Sequence, residues 1–545
     1  MSDAPWWRGA VIYQIYPRSF LDTDGDGVGD LPGIVERLDY VAALGVDAIW
    51  IAPFFKSPMA DFGYDIADYR DVDPLFGTLD DFDRLLAKAH RLGLKVMIDQ
   101  VLSHTSAEHA WFRASRQSRD NPMADWYVWA DARPDGTPPN NWLSLFGGSA
   151  WQWEPRRGQY CLHNFLAAQP DLNFHHPEVR AATLDNLRFW LDKGVDGVRL
   201  DAINFCFHDR QLRDNPPKPS DQRVGRGFSP ANPYAFQYHY HNNTQPENLA
   251  FLGELRALMD RYPDVAALGE ISSEDSLATM AEYTAGGRLH MGYSFELLTD
   301  DFSAAHIRDT VRQLEAQMTE GWPCWAISNH DVERVLSRWG NGNASAQLAN
   351  LFTAMVCSLR GSVCVYQGEE LGLTEADVPY ESLRDPYGIA FWPQFKGRDG
   401  CRTPMPWSDT DVQAGFSHGM PWLPVPEEHR ARAVAQQQAD PHSVLNGFRA
   451  FMRWRQTQPA LRWGEIEFID TTEPVLAFIR RLDGDALLVV FNLGAAPTEL
   501  SLPTLPGTLT ALHGHGLGEG SLHDGSLRLP GHGAWFARLD PATSA

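Results

Sequence analysis

Four short segments each end a strand-like apolar run in an acidic or polar group: LKVMIDQVLSH (Leu94 to His104), VDGVRLDAI (Val195 to Ile203), VAALGEI (Val265 to Ile271) and WAISNHD (Trp325 to Asp331). Four strand ends spread over more than two hundred residues meet only if the strands lie side by side with parallel polarity. A closed parallel barrel does this and gathers functional groups at the carboxyl ends of its strands. Carboxylates collected on such a face suit acid/base or nucleophilic chemistry on an uncharged substrate.

The surrounding pattern alternates. Strand-like runs at Val11 to Pro17, Val46 to Pro53 and Leu94 to Asp99 are separated by apolar residues at helical spacing (Ile34, Val35, Leu38, Val41, Ala42, then Phe82 to Leu92). Continuous apolar runs fit strands covered on both faces. The rhythm breaks between His104 and Phe174, a stretch rich in Trp, Asn, Pro and Gly. It resumes with a helix at Pro177 to Lys193 and strands at Asp196 to Asp201, Val265 to Glu270, His290 to Phe295, Trp322 to Asn329 and Ser362 to Gln367. The expectation is an α/β fold: a (β/α)8 barrel over 1–104 and 175–458, a subdomain inserted after strand 3 at 105–174, and an antiparallel β domain over 459–545. That last part carries the short strands VLAFIRRL, DALLVVFNL and LTALHG without intervening helices. The segment Leu371 to Pro441 is too long for a plain connector, which marks it as functional.

A formal net charge of -24 argues against nucleic acid and anionic membrane as partners. No run of eighteen apolar residues predicts a membrane span, and the start MSDAPWWRGA does not resemble a secretory signal. The six cysteines are widely spaced with no CxxC pair, as expected of buried free thiols in a cytoplasmic protein.

Within the barrel mouth, Arg199 and Asp201 lie two apart on one strand and so point to the same side. The guanidinium is expected to hold the carboxylate ionised, which suits a nucleophile. Glu270 follows the apolar run AALG, and desolvation there is expected to raise its pKa, which suits a general acid. Asp331 follows Asn329 and His330 at a later strand end. DTDGDGVGD (Asp22 to Asp30) is a separate signal: the carboxylates of Asp22, Asp24, Asp26 and Asp30 with the Val28 carbonyl offer alternating oxygen ligands for a hard divalent cation. Gly33 stands where an EF-hand needs Glu, so the loop is not an EF-hand.

Together these segments resemble the signature regions of glycoside hydrolase family 13, the α-amylase superfamily. QPDLNF (Gln169 to Phe174) is similar to the signature of its oligo-1,6-glucosidase and α-glucosidase branch. The resemblance covers nearly the whole chain. It implies a retaining double displacement with Asp201 as nucleophile, Glu270 as acid/base and Asp331 as transition-state stabiliser, while Asp99 supports the site. His104 and His330 would hold sugar hydroxyls, and Arg199 would accompany Asp201. In SPMADFGYDIADY, Asp61 would bind the terminal glucose and Tyr64 stack beneath it. In GRDGCRTPMPW, Arg398, in preference to Arg402, would reach Asp61 and the sugar; Phe146 and Phe165 resemble pocket-lining aromatics. The metal would be structural calcium, or magnesium, with no organic cofactor.

Ala202, directly after the nucleophile, accompanies α-1,4 cleavage in this branch, so the implied substrate is maltose-like. Sugar or alcohol acceptors would intercept the glucosyl-enzyme, with Asn215 to Gln245 forming part of their rim. Alternatives on the same scaffold are an oligo-1,6-glucosidase or a sucrose- or trehalose-processing enzyme. Catalytically inactive transporter partners in the family lose the acidic triad and carry a membrane helix, unlike this chain. No HxH or Cys/His cluster supports a catalytic metal.

Overall fold

A computed structural model describes residues 4–223, 231–503, 505 and 507–540. Eight parallel strands close into a barrel: β1 (Val11–Ile15), β2 (Ala48–Ile51), β3 (Lys95–Val101), β4 (Gly197–Asp201), β5 (Ala266–Ile271), β6 (Met291–Ser294), β7 (Trp322–Ala326) and β8 (Ser362–Tyr366). They follow one another in chain order around the ring, and β8 closes on β1 with Val11 beside Val363 and Gln14 beside Tyr366. The eight expected strands are therefore the eight observed.

Alternation along each strand divides the apolar residues into two layers. Ile12, Trp50, Met97, Leu268, Met291, Tyr293, Trp322 and Cys364 fill the barrel interior. Val11, Tyr13, Ile49, Ile51, Val96, Ile98, Val198 and Leu200 face outward onto the helices. The helices begin where local chemistry starts them. Thr78 and Asp81 form a reciprocal capping box on helix Leu79–Arg91. Asp30 caps Leu31–Ala42 through Gly33 N–H, with Pro32 in the first turn. Helix Pro177–Lys193 stops at Gly194, which takes the left-handed conformation at φ 96°.

The region after β3 carries the short helix Ala110–Ser115 and a three-stranded sheet of Trp129–Ala130, Gln159–Leu162 and Trp151–Glu154. It returns to the barrel through bridges pairing His104 with Asp171 and Tyr127 with Leu172. The C-terminal part has a five-stranded antiparallel sheet. Its central hairpin joins Val475–Leu482 to Asp485–Asn492 through Asp483 and Gly484, both at positive φ, a two-residue turn whose twist matches the strands. Within the expected acceptor rim, 224–230 lie outside the described residues. No helix among the described residues is long and apolar enough to cross a membrane, and all six cysteines are buried free thiols.

Candidate active site

The carboxyl ends of β3, β4, β5 and β6 converge on one buried guanidinium. Arg199 Nη1 donates to Asp201 Oδ1 at 2.7 Å and to both oxygens of Asp99 at 2.9 and 3.0 Å. Its Nη2 lies 2.6 Å from Glu270 Oε1 and donates to the Tyr293 hydroxyl at 3.0 Å. Tyr293 OH in turn donates to Glu270 Oε1 at 2.8 Å, and Trp50 stacks under the guanidinium 4.8 Å away. Alternation along β4 explains why Arg199 and Asp201 share the interior. Parallel register explains the rest, since Asp99 stands beside Arg199 and Val101 beside Asp201.

One cation faces three carboxyl groups in a dry environment. Burial pushes the Asp201 carboxyl well above its usual range; Arg199 opposes this, and the neighbouring charges of Glu270 and Asp99 add to it. Asp99 rises to about 6, again through burial against the pull of Arg199. This corrects the expectation that Arg199 simply holds Asp201 ionised. The guanidinium balances one negative charge well, and a second only in part, so burial and neighbouring charge raise the Asp201 and Asp99 carboxyls together.

Asp331 stands opposite, held by different cations. Arg398 Nη1 and Arg402 Nη2 reach its Oδ1 at 3.2 and 2.9 Å, and His330 Nε2 lies 3.3 Å from its Oδ2. Burial works against its charge, but His330, Arg398 and Arg402 outweigh it and hold the carboxyl below the usual range. Burial keeps His330 itself neutral, with its pKa lowered to about 3, so the two arginines carry the stabilisation. Asn329 Oδ1 fixes the turn by accepting from the N–H of Asp331 and of Val332. The Asp331 side chain stays 23% exposed, which leaves it open to a ligand.

The far wall is built by Arg398, whose Nη2 donates at 2.8 Å both to Asp61 Oδ1 and to Asp385 Oδ1. Asp61 Oδ2 accepts from Gln169 Nε2 at 3.1 Å, and Gln169 Nε2 also lies 3.2 Å from His104 Nε2. Tyr64 lies parallel to His330, 5.3 Å between ring centroids, and its hydroxyl donates to Asp99 Oδ2. Phe146 lies over Arg398, and Phe165 over His104. These groups enclose a pocket with about 730 Å³ of empty space.

All the sequence-derived catalytic and binding residues therefore come to this pocket or its supporting wall. Arg199 and His330 stand behind its surface, whereas Asp201, Glu270, Asp331, Asp61, Tyr64, His104, Phe146, Phe165 and Arg398 line it. Arg402, set aside in favour of Arg398, is a second ligand of Asp331. Sequence reasoning missed Asp385, Tyr293, Gln169, Phe205, Phe295, Ser272 and Tyr387. Tyr293 carried a usable signal: it lies inside a predicted strand, two residues from its end. Asp385 caps the short helix Pro386–Phe391 by accepting from Tyr387 N–H, and its Asp-Pro start within the long segment after β8 was the signal available.

At the first barrel loop, the carboxylates of Asp22, Asp24 and Asp30 each place an oxygen within 4.8 Å of the others. Three oxygens so disposed fit a hard divalent cation. Asp26 lies outside this trio, its Oδ1 accepting from Val28 N–H. Asp22 Oδ2 also accepts from Ser417 Oγ and Gly27 N–H, tying the loop to the long segment after β8.

Carboxyl groups on the ends of β4 and β5 and after β7 of such a barrel suit nucleophilic and acid/base chemistry of the kind that glycoside cleavage needs. Comparison with known proteins agrees. The family described as "Alpha amylase, catalytic domain" matches residues 14–464, and a domain of unknown function (DUF3459) matches 463–536. A probable alpha-glucosidase of Rhizobium meliloti (strain 1021) is 55% identical over 98% of both chains. An oligo-1,6-glucosidase of Heyndrickxia coagulans is 38% identical over 91% of this chain and 94% of its own. The solved structure of an alpha-glucosyl transfer enzyme, XgtA, superposes with a TM-score of 0.97 at 70% identity, covering 98% of this chain and 100% of that one. The chain belongs to the α-amylase family, glycoside hydrolase family 13.

Proposed function

We propose that the protein is a retaining α-glucosidase that releases α-glucose from the non-reducing end of short α-1,4-glucosides such as maltose and also transfers the glucosyl unit to sugar or alcohol hydroxyls. The observation that carries this reading is the single guanidinium touching both Asp201 and Glu270. It holds the two carboxyls close together, and retaining glycosidases keep theirs about 5–5.5 Å apart. The Asp61–Arg398 pair closes the pocket behind them, which favours a chain end over an internal linkage.

Asp201 Oδ attacks the anomeric carbon while Glu270 gives its proton to the leaving oxygen, and the glycosidic bond breaks. The ring bears positive character in the transition state. Asp331, held ionised by Arg398 and Arg402, stabilises that charge and accepts from ring hydroxyls. In the second half, Glu270 takes the proton of an incoming water or alcohol, whose oxygen attacks the same carbon. The bond to Asp201 breaks, and its electron pair returns to the carboxylate. Two inversions give net retention. Neutral His104, its pKa lowered to about 4 by burial, binds a sugar hydroxyl without competing for the proton, while neutral His330 braces Tyr64 from behind the pocket surface.

Asp22, Asp24 and Asp30 would hold calcium or magnesium, whose charge would neutralise the loop and brace it against the segment carrying Ser417. Unbridged thiols suit the cytoplasm. An NMR time course on maltose and isomaltose, with Asp201→Asn as control, tests the whole reading. Early α-glucose from maltose, absent with the variant, is the expected result. Early β-glucose in excess of that freed from the reducing end of maltose, or faster isomaltose cleavage, would overturn the retaining or the α-1,4 part respectively.

A further inference from the structure

The region inserted after β3 holds a cavity of its own, with about 530 Å³ of empty space. It shares no lining residue with the catalytic pocket among the described residues. Small-molecule sites span about 300–1,000 Å³, so the size fits a ligand. Three walls enclose it: the helix Ala110–Ser115, one face of the three-stranded sheet, and the loop from His163 to Pro170. Gln152 stands beside Cys161 in that sheet and Glu154 two residues on, so the three side chains share the face turned to the cavity. The loop is a partition. Its Phe165 and Gln169 line the catalytic pocket, while its Ala167 and Pro170 line the cavity. Gln169 N–H donates to the Leu166 carbonyl at 2.8 Å, and Leu166 N–H to Gln169 Oε1 at 3.0 Å, which fixes its shape.

The polar lining is balanced in charge and incompletely paired. Arg116 Nε donates to Glu154 Oε2 at 2.8 Å, and Nη2 donates to the same oxygen. Glu154 Oε1 accepts from Arg156 N–H at 3.0 Å. Arg116 Nη1 has no protein partner among the described residues, so its two N–H groups are free to donate. His163 is buried, 7% exposed, and its Nδ1 lies 2.9 Å from the Phe165 carbonyl. A carbonyl only accepts, so Nδ1 carries the proton; burial lowers the ring's pKa and keeps it neutral. Nε2 is then a lone-pair acceptor, also without a protein partner among the described residues. Gln152 adds an exposed amide, and Phe112 and Pro170 an apolar floor. Free donors and a buried free acceptor with no net charge suit hydroxyl groups, which both give and take hydrogen bonds. An anion would meet a guanidinium whose charge Glu154 already answers.

We propose that this cavity is a non-catalytic binding site for a neutral sugar of monosaccharide size, such as glucose, held on the back of the loop that carries Phe165 and Gln169. Arg116 Nη1 donates to one hydroxyl, His163 Nε2 accepts from another, and Gln152 closes over the ring. The Arg116–Glu154 pair stays intact when the sugar binds, so no charge is stranded.

Hydrogen–deuterium exchange of the full chain, with and without saturating glucose, tells the two pockets apart by position. Slower exchange is expected in segments 110–118 and 151–156 as well as at the catalytic strand ends. Glucuronate at the same concentration is expected to leave 110–118 and 151–156 unprotected; equal protection would overturn the preference for a neutral ligand. In Gln152→Ala and His163→Phe, half-maximal protection of those two segments should need about tenfold more glucose, the loss of one hydrogen bond. Protection at the strand ends is expected to persist in both, which shows that each variant is folded. Gln152 is a surface residue, so its variant stands if the His163 variant does not fold. Protection confined to the strand ends of the parent, or undiminished at 110–118 and 151–156 in the variants, would overturn the site. Protection at those segments without any at the strand ends would count against the glucosidase reading and leave the site standing.

Discussion

The backbone N–H of Ala202 donates to Glu270 Oε2 at 3.1 Å, from a residue in the left-handed region at φ 40° and ψ 46°. The residue that follows Asp201 therefore also orients Glu270. Residues without a β-branch tolerate this conformation far better than Val or Ile.

Ala202→Val is expected to cost about 1–2 kcal/mol of stability and to lower kcat on maltose, because relief of the strain swings the N–H away from Glu270. Added bulk at the leaving-sugar side is expected to shift the maltose-to-isomaltose ratio toward isomaltose. Thermal melts and paired kinetics read both effects, and a Val variant as stable and as maltose-selective as the parent would contradict them.

Glu270→Gln removes the proton donor. Turnover of maltose is expected to fall about 10²–10⁴-fold. Formation of the glucosyl-enzyme from p-nitrophenyl α-glucoside should suffer much less, since nitrophenolate leaves without protonation. Azide, which needs no base, is expected to restore turnover of the activated substrate; absence of rescue would remove Glu270 from the role.

Arg398 is the shared partner of Asp61, Asp385 and Asp331. Arg398→Met strands buried carboxylates and is expected to destabilise the protein by about 3–5 kcal/mol. Asp61→Asn keeps the shape and is expected to raise KM for maltose with a much smaller change in melting. Denaturant midpoints and KM values separate the two.

Stability should peak between mildly acidic and neutral pH, for reasons of opposite sign. Burial pushes Glu369 up to about 8 and Asp171 to about 7. Acids raised in the fold bind more protons folded than unfolded between the unfolded value near 4 and those higher values. Their contribution is full below that range and is lost as pH rises through 7 to 8. His104, His239 and His330 are lowered to about 4, 4 and 3, so their contribution is full above the unfolded value of about 6.5 and is lost as pH falls toward 4. Melts of Glu369→Gln from pH 5 to 9 are expected to show a flatter alkaline limb than the parent. An identical limb would assign the loss to other groups.

Calcium or magnesium is expected to raise the melting temperature, and chelator to lower it, by preferential binding to the folded loop. Asp24→Asn should abolish that response. Persistence of the full response in the variant would place the ion elsewhere.

Much of the fold was legible because its signals are local. Apolar runs of strand length, capped helices between them, and the change to short turn-separated strands after Leu461 each depend on near neighbours in sequence. Arg199 and Asp201 were legible together because strand alternation alone puts them on one side. Asp385, Tyr293 and Gln169 were not, since their importance comes from partners 13 to 108 residues away.

The sequence by itself determined the eight strands, the polar groups at their ends and the acidic first loop, since periodicity and spacing are properties of the chain. Tertiary structure alone decided how charge is distributed. It placed three carboxyls on Arg199 and two arginines on Asp331. It therefore pushed Asp201 up and Asp331 down, although both are aspartates at barrel strand ends. Ionisation depends on desolvation and on neighbouring charge, and both are set only when distant strands close the barrel.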